Sequence, residues 1–498
     1  MAAVVPVDEK RVDLDDVLDK FSIYKSYHLK IAALIFLGFA TNTMYCSNFI
    51  FVAEETGYTC VINSTVNNTT DCVEWLYDNP NSFVAEFQLA NQEWKRTLVG
   101  TVHSFGYMVG LLIVGPLSDR FGRKNAFIMT GVLGGVFGVA RSFSHSYWLY
   151  IALEFLEAFI GDCCSPAYIL ITEVVSTKQR LKFILMCTIG YTFGGFATSL
   201  AAWLVPYWRN LLQVLYTPAL LFFFYKYLLD ESPRWLLIKG HKEKAIEVLE
   251  KAAKKNNQKL DKHFLDKLSC ESNENSNFLK IVKSTFQSKV LCGRFFVCLV
   301  WWTTSTFVNY GLTINSVSLQ GNKYINFALL SVVDLPGLFI ITYILTYCKR
   351  KLPLMCCFFA AAVLCVSQPF VPLDLPWLSI VFFMAGKLMS SFYFNITYLY
   401  TSELFPTYTR NSMHALCSSL GRIGSIISPQ TPLLIQYWFG LPSLIFGLAS
   451  LFGGFVTFFV PDIADDSLPD TISQAEELGK PKPKKSLSIN CANPDVTK

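Results

Sequence analysis

Charge is what this chain has least of. Only 16% of its 498 residues are Asp, Glu, Lys or Arg, against about a quarter in soluble domains. Histidine is scarcer still, with six residues scattered along the chain. There is no Ser-His-Asp spacing, no glycine-rich phosphate loop and no Cys or His at metal-ligand spacing, so no catalytic machinery and no cofactor are expected. The start lacks a cleavable-signal pattern: residues 1–28 are polar and acidic (Asp13, Asp15, Asp16, Asp19), and the first apolar run is long enough to span a membrane. The net charge of +5 comes from Lys and Arg gathered in alternate loops, which sets topology and leaves no nucleic-acid footprint.

Apolar runs of about 20 residues recur instead, the length a helix needs to cross a bilayer. They predict an all-α polytopic membrane protein with twelve spans, at 30–52, 97–115, 126–142, 147–170, 183–205, 209–229, 291–314, 325–347, 353–371, 377–401, 412–435 and 441–460. These divide the chain into a leader (1–29), a first six-helix half (30–229), a linker (230–289), a second six-helix half (290–460) and a tail (461–498). The loops after spans 2, 4, 8 and 10 carry Arg120/Arg123/Lys124, Lys178/Arg180, Lys349/Arg350/Lys351 and Arg410, while those after spans 9 and 11 carry no Lys or Arg. Basic loops stay in the cytoplasm, so both termini are expected there. The long loop 53–96 then lies outside, with sequons at Asn63, Asn67 and Asn68 between Cys60 and Cys72. Glycosylation is expected at these sites and a disulfide between the two cysteines. The other cysteines read as free thiols. The linker is Lys-rich (Lys242, Lys244, Lys251, Lys254, Lys255) and reads as short cytoplasmic helices; the tail, with Lys480–Lys485, suits anionic lipid.

The chain is organised around Gly115-Pro-Leu-Ser-Asp-Arg-Phe-Gly-Arg-Lys124, read as a tight charged turn in which Gly and Pro break the helix. An internal repeat supports two halves: Glu173, Thr177 and Arg180 after span 4 match Glu403, Thr407 and Arg410 after span 10 at an offset of 230. The second-half partner of the charged turn, Tyr347-Cys-Lys-Arg-Lys351, has no Asp.

The Gly115–Lys124 run resembles the loop between helices two and three of the major facilitator transporters. Glu231-Ser-Pro-Arg-Trp-Leu-Leu237, Thr401-Ser-Glu-Leu-Phe-Pro-Thr407, Arg410-Asn411 and Leu468-Pro-Asp-Thr-Ile-Ser-Gln-Ala-Glu-Glu477, with the long loop and the acidic leader, narrow the resemblance. Together they look like the organic cation, carnitine and organic anion transporter family. Sugar porters share Ser-Pro-Arg-Trp, but their glutamine-rich seventh helix is absent from Trp301–Gly311. The resemblance implies a plasma-membrane carrier of small organic ions working by alternating access, with membrane lipid and a coupling ion or counter-substrate as further partners. A receptor or scaffold on the same fold is the competing reading.

A carrier lines its path with polar groups and keeps its lipid face apolar. Helical spacing gives stripes at Trp302, Thr306, Asn309 and Thr313 in span 7, Thr188, Tyr191, Thr192 and Gly195 in span 5, Thr41, Tyr45 and Asn48 in span 1, and Lys387, Ser391, Phe394 and Tyr398 in span 10. Helix packing through small and hydroxyl residues would give the same stripes. Arg422, in the middle of span 11 among Gly and Ser, is the strongest candidate for reading a substrate carboxylate through a bidentate contact; a structural pair with an acid on another helix is the alternative. The resemblance implies that Arg here suits anion and carnitine-type members, and that Asn395 stands where some cation carriers have an acid. Asp334 matches an acidic family position, and Leu338 replaces a Lys of anion carriers. Glu154 stands where many major facilitators have Arg, and Glu157 and Asp162 add further acid to span 4. Arg plus acids suits a zwitterion, with Tyr45, Trp302 and Tyr310 as faces for a quaternary ammonium. Asp119, Arg120, Arg123, Glu173, Arg180, Glu231, Arg234, Glu403 and Arg410 sit at helix ends and read as gate rather than site.

Overall fold

The protein is described from a computed structural model, over residues 14–61, 74–258, 285–372, 374–462 and 472–477. Ten of its helices are long and apolar enough to cross a membrane. Spans 3 and 11 complete the twelve but are built differently. Span 3, Arg123–Arg141, is a 19-residue helix rich in glycine and bounded by arginine. Span 11 is segmented into Thr407–Gly421, Ile423–Ile427 and a 3-10 stretch, Ser428–Gln436. The other spans of the first half are Ser26–Val52, Glu93–Phe121, Tyr147–Ile160 continued by Cys164–Val174, Arg180–Leu204, and Trp208–Tyr216 continued by a 3-10 turn to Phe224. Those of the second half are Lys289–Asn315, Lys323–Tyr347, Lys351–Ser367, Pro376–Leu404 and Leu441–Val456.

Each half has its own buried core, the first of which extends onto Ile314 and Phe327 of the second half. Within the first, span 1 packs on span 5 and span 2 on span 4; within the second, span 9 packs on spans 10 and 12, and span 7 on spans 10, 11 and 12. The halves meet where span 5 touches span 8 and span 2 touches span 11. The repeat exchanges 2 with 8 and 5 with 11, so the two seams are one contact used twice, as a parallel repeat about the membrane normal requires. Glycine makes the close approaches: in span 3, a Cβ at Gly138 would lie 2.0 Å from the Tyr216 ring and one at Gly131 2.2 Å from Phe222.

The charged turn differs from its sequence reading. Gly115 and Pro116 do not break the helix; Pro116 lies inside Glu93–Phe121. A spanning helix tolerates Pro because neighbours re-satisfy the freed carbonyl. The chain turns at Gly122 alone, with φ 99° and ψ 154°, a conformation open essentially only to glycine. A Cβ there would also sit 2.3 Å from Glu231 Oε2. Gly122→Ala is therefore expected to cost roughly 1–3 kcal/mol. Gly115→Ala, in open space and mid-helix, should be neutral or slightly stabilising. Thermal unfolding of the two purified variants separates these outcomes.

The long loop carries a two-stranded antiparallel ribbon, Tyr58–Val61 against Glu74–Tyr77, with Cys60 opposite Trp75. Cys60 is disulfide-bonded; Cys72, Asn63, Asn67 and Asn68 lie outside the described residues. The linker forms helices Pro233–Ile238 and Lys242–Lys255. The leader is tied down: Leu14, Val17 and Leu18 are buried, and Asp19 pairs with Lys178 at 2.6 Å, which lowers its pKa.

Candidate functional site

Span 4 breaks at Gly161–Cys163. Asp162 makes the break useful: one carboxylate oxygen accepts from the backbone N–H groups of Cys164 (3.1 Å) and Ser165 (3.3 Å), capping the segment that follows. It is 1% exposed. Span 11 breaks beside Arg422, where Gly421 and Gly424 press against span 7; Cβ atoms there would lie 2.5 Å from Trp302 Cβ and 2.3 Å from the Thr303 carbonyl. The two breaks face each other across the seam. The Arg422 guanidinium lies 5.2 Å over the ring of Tyr107 from span 2, and its Nη1 donates to the Tyr310 hydroxyl at 3.0 Å. Asp162 is close enough for the two charges to act on each other. Arg422 thus touches both halves halfway along its span, half-buried, with guanidinium donors beyond the one used by Tyr310.

Span 5 approaches this site through Tyr191, whose hydroxyl meets the Cys164 thiol and whose ring stacks on Phe39 at 4.8 Å; Thr192 is half-buried beside it. A second polar cluster lies wholly in the second half. Lys387 is 3% exposed and donates to Asn309 Oδ1 (2.7 Å) and Thr313 Oγ1 (3.0 Å). Asn309 donates to Ser390 and Ser391, and Ser391 donates to Asp334 at 2.6 Å. So Asp334 and Lys387 share one hydrogen-bonded chain. Asn395 donates to the Ser391 carbonyl of its own helix, and Tyr398 is 48% exposed, edge-on to His414.

Several expected path residues are packing groups. Thr306 is fully buried and donates to the Gly421 carbonyl at 2.6 Å. Trp302 is 2% exposed, its Nε1 donating to Thr401 Oγ1 at 3.1 Å. Tyr45 and Asn48 face the first half's core, not the seam. Tyr45 stacks on Tyr216 and donates to the Gly131 carbonyl; Asn48 donates to the Tyr216 hydroxyl at 2.8 Å. Helical spacing identifies a polar face but not what it faces. Here span 1 turns that face toward Arg141, a residue the sequence reading did not single out.

Arg141 is fully buried. It donates to Glu154, to Asn48 Oδ1 (3.0 Å) and to the Tyr216 hydroxyl (2.9 Å), between the rings of Tyr150 and Tyr216. The guanidinium that the resemblance places at position 154 is supplied from span 3, with Glu154 as its partner. The available signal was an ionisable residue closing an apolar run. His103 and Tyr107, one turn apart inside span 2, were also not singled out; the signal for His103 was an ionisable residue within an apolar run.

At the end bearing Gly115–Lys124, the motif charges pair within each half. Arg123 bridges Asp119 (2.5 Å) and Glu173 (3.1 Å). Arg350 meets Glu403 at 3.3 Å in the matching place. The degenerate motif has kept this Arg, although it has no Asp and carries Lys349 where the first half has Gly122. Glu231 accepts from the backbone N–H of Lys124 at 3.0 Å, an anion at the helix start, and burial raises its pKa. Arg234 pairs with Asp15 at 3.0 Å, and Arg120 lies exposed over the Phe121 ring. Arg180 and Arg410 are half-buried at the matching positions. At the opposite end the halves are joined. Gln430 bonds Thr97 (2.9 Å) and Thr101 (2.7 Å), Lys323 pairs with Glu54, Ser199 donates to the Tyr324 carbonyl, and Tyr324 stacks on Phe51 and Trp203.

Two repeated six-helix halves, joined at one end and meeting around an Arg–acid seam, define a major facilitator carrier fold. The E. coli xylose transporter in a partially occluded inward-open conformation superposes with a TM-score of 0.66 at 18% identity, covering 89% of this chain and all of that one. The D-xylose-proton symporter gives 0.62 at 16% identity, over 88% of this chain and 99% of that one. The sequence model of the "Sugar (and other) transporter" family matches residues 43–471. Solute carrier family 22 member 1 of Oryctolagus cuniculus is 32% identical over 417 residues, 83% of this chain and 75% of that protein. The "Organic cation transporter protein" of Drosophila melanogaster is 30% identical over 427 residues, 83% of this chain and 78% of that protein. The chain belongs to the major facilitator superfamily, in its organic cation, carnitine and organic anion transporter family.

Proposed function

We propose that this protein is a plasma-membrane secondary transporter of small organic ions bearing a carboxylate, zwitterions above all, moving them by alternating access. The observation that carries the reading is Arg422. A guanidinium at membrane depth costs at least ~2.5–3.5 kcal/mol unless water or a partner offsets it. It lies at the seam with Asp162, Tyr107 and Tyr310 around it. An anionic group would dock on Arg422, a cationic one on Asp162 and the tyrosine faces. Among the predicted residues, Arg422, Tyr310, Asp162, Asn309, Asp334 and Tyr191 form the proposed path. The leader, linker and tail boundaries of the sequence reading go with it.

The basic motif end is assigned to the cytoplasm, with both termini, and the long loop to the outside. The joined end is then read as the outer gate, closed, as in an inward-facing state. Outward opening would break the Gln430, Tyr324 and Lys323 contacts, while the Asp119–Arg123–Glu173 and Arg350–Glu403 sets hold the ends that must close. A tag inserted at Val66 should be reachable on intact cells, and tags at either terminus should not. Glycosidase should lower the apparent mass. A surface-expressed protein whose residue-66 tag needs permeabilisation would reverse the topology.

A cation-carrier reading is favoured by the name of the Drosophila relative and by the acid and aromatic groups at the seam. Uptake of labelled L-carnitine, its carboxamide, succinate and tetraethylammonium distinguishes the two. Preference for L-carnitine over its amide supports the first, transport of tetraethylammonium without that preference the second, and no uptake of any probe a non-transporting role.

A further inference from the structure

The Arg141 cluster is not needed to hold a substrate at Arg422, yet it is the most heavily charged buried place among the described residues. His103, Glu154 and Glu157 offer ligand atoms within 4.8 Å of one another, with His103 4% exposed and both glutamates fully buried. His103 Nδ1 is 2.9 Å from Glu154 Oε1 and 3.6 Å from Glu157 Oε2; Arg141 Nη1 is 3.8 Å from Glu157 Oε2 and bonded to Glu154. Glu154 is therefore fully engaged. Glu157 is not: neither of its oxygens has a hydrogen-bond partner, and neither has the Tyr150 hydroxyl or His103 Nε2. The facing groups from the packed elements are Cys46, Tyr45 and Asn48 of span 1, Arg141 of span 3, Tyr150 of span 4 and Tyr216 of span 6. Apart from Arg141, none of them carries a fixed charge.

The charges count to a residual. Arg141 carries one positive charge and the two glutamates two negative ones, so with neutral His103 the cluster is left at minus one in a medium where uncompensated charge is costly. One proton cancels it, on the His103 imidazole or the Glu157 carboxylate, and either then donates toward an acceptor already in place. A divalent metal would overshoot to plus one and sit against the Arg141 guanidinium. We propose that His103, Glu154 and Glu157, held by Arg141, bind one exchangeable proton, and that its occupancy is coupled to substrate movement at the seam. The linkage is short. His103 and Tyr107 lie one turn apart on span 2, and Tyr107 carries Arg422 on its ring. Glu157 lies in the last turn before the break in span 4 and Asp162 within the break, where the Gly161 N–H donates to the Glu157 carbonyl at 2.7 Å. The coupling half of this inference rests on the carrier reading; the proton site does not.

The test uses the full chain in lipid nanodiscs, chelator-treated and free of sodium. Infrared difference spectra between about pH 5 and pH 8 should show a carboxyl or imidazole band that disappears in both Glu157→Gln and His103→Gln. A spectrum unchanged in the variants overturns the proton site, as does a wild-type signal that appears only on adding Zn²⁺ or Na⁺. Glu157→Gln keeps shape and removes the carboxylate that lacks a hydrogen-bond partner, so it serves where His103→Gln does not fold. In proteoliposomes with labelled L-carnitine and with tetraethylammonium, a one-unit pH gradient should drive up to about tenfold accumulation in wild type for one coupled proton. The ratio of accumulation with and without the gradient should fall to one in Glu157→Gln. Transport by wild type that ignores the gradient overturns the coupling. Transport of neither probe counts against the carrier reading, and the spectra still decide the site.

Discussion

Arg141→Met should be the most damaging single substitution in the first half, lowering stability by about 3–5 kcal/mol. The side chain has no exposed surface and neutralises Glu154, with Glu157 at 3.8 Å. Removing it leaves two carboxylates buried on one helix face with His103 as their only cationic resource. Asn48 Oδ1 loses its donor as well. Ion pairs of this kind contribute little relative to a well-packed apolar isostere, but half a pair is far worse than none. Arg141→Met/Glu154→Met should therefore recover a large part of the loss, although Arg141→Met alone changes fewer residues. Thermal unfolding of the purified proteins, with surface expression alongside, reads both. A single variant within about 1 kcal/mol of wild type, or a double variant worse than the single, would mean that the cluster is wet and that its charges are screened.

Each feature is legible in the sequence to the extent that it leaves a physical signal there. The spans and the two halves leave long-range signals, in apolar length, loop charge and the Glu173/Glu403 repeat, and these suffice for the fold. Arg422 and Asp334 were legible because a charge inside an apolar run needs a reason. What one sequence does not carry is the rotation of each helix about its axis. Tyr45 and Asn48 make as good a polar stripe as Asn309 and Thr313, and only packing turns the first toward Arg141 and the second toward Lys387. The charged turn was misplaced because Gly115 and Pro116 are helix breakers in water, whereas in a packed span the carbonyl freed by Pro is cheaply satisfied. The positive φ of Gly122 decides the turn instead.

Arg422→Lys tests whether the seam reads a carboxylate. The substitution keeps the charge and removes the planar fork, so two parallel hydrogen bonds to a carboxylate become one point contact. A lost charge-assisted bond is worth roughly 1.5–3 kcal/mol, or about ten- to a hundredfold in affinity. The loss should fall on L-carnitine and not on its carboxamide, because only the carboxylate uses the fork. The Tyr107 ring and the Tyr310 hydroxyl still face the ammonium in the variant, so the cation should remain seated. Arg422→Asp goes further. It places a second acid near Asp162, should abolish carboxylate uptake and should raise uptake of tetraethylammonium. Competition assays with the acid–amide pair give the discriminating number. If wild type does not separate the pair, Arg422 is not reading a carboxylate. If Arg422→Lys weakens both members equally, the guanidinium is holding spans 2, 7 and 11 together, and the cation-carrier reading takes precedence.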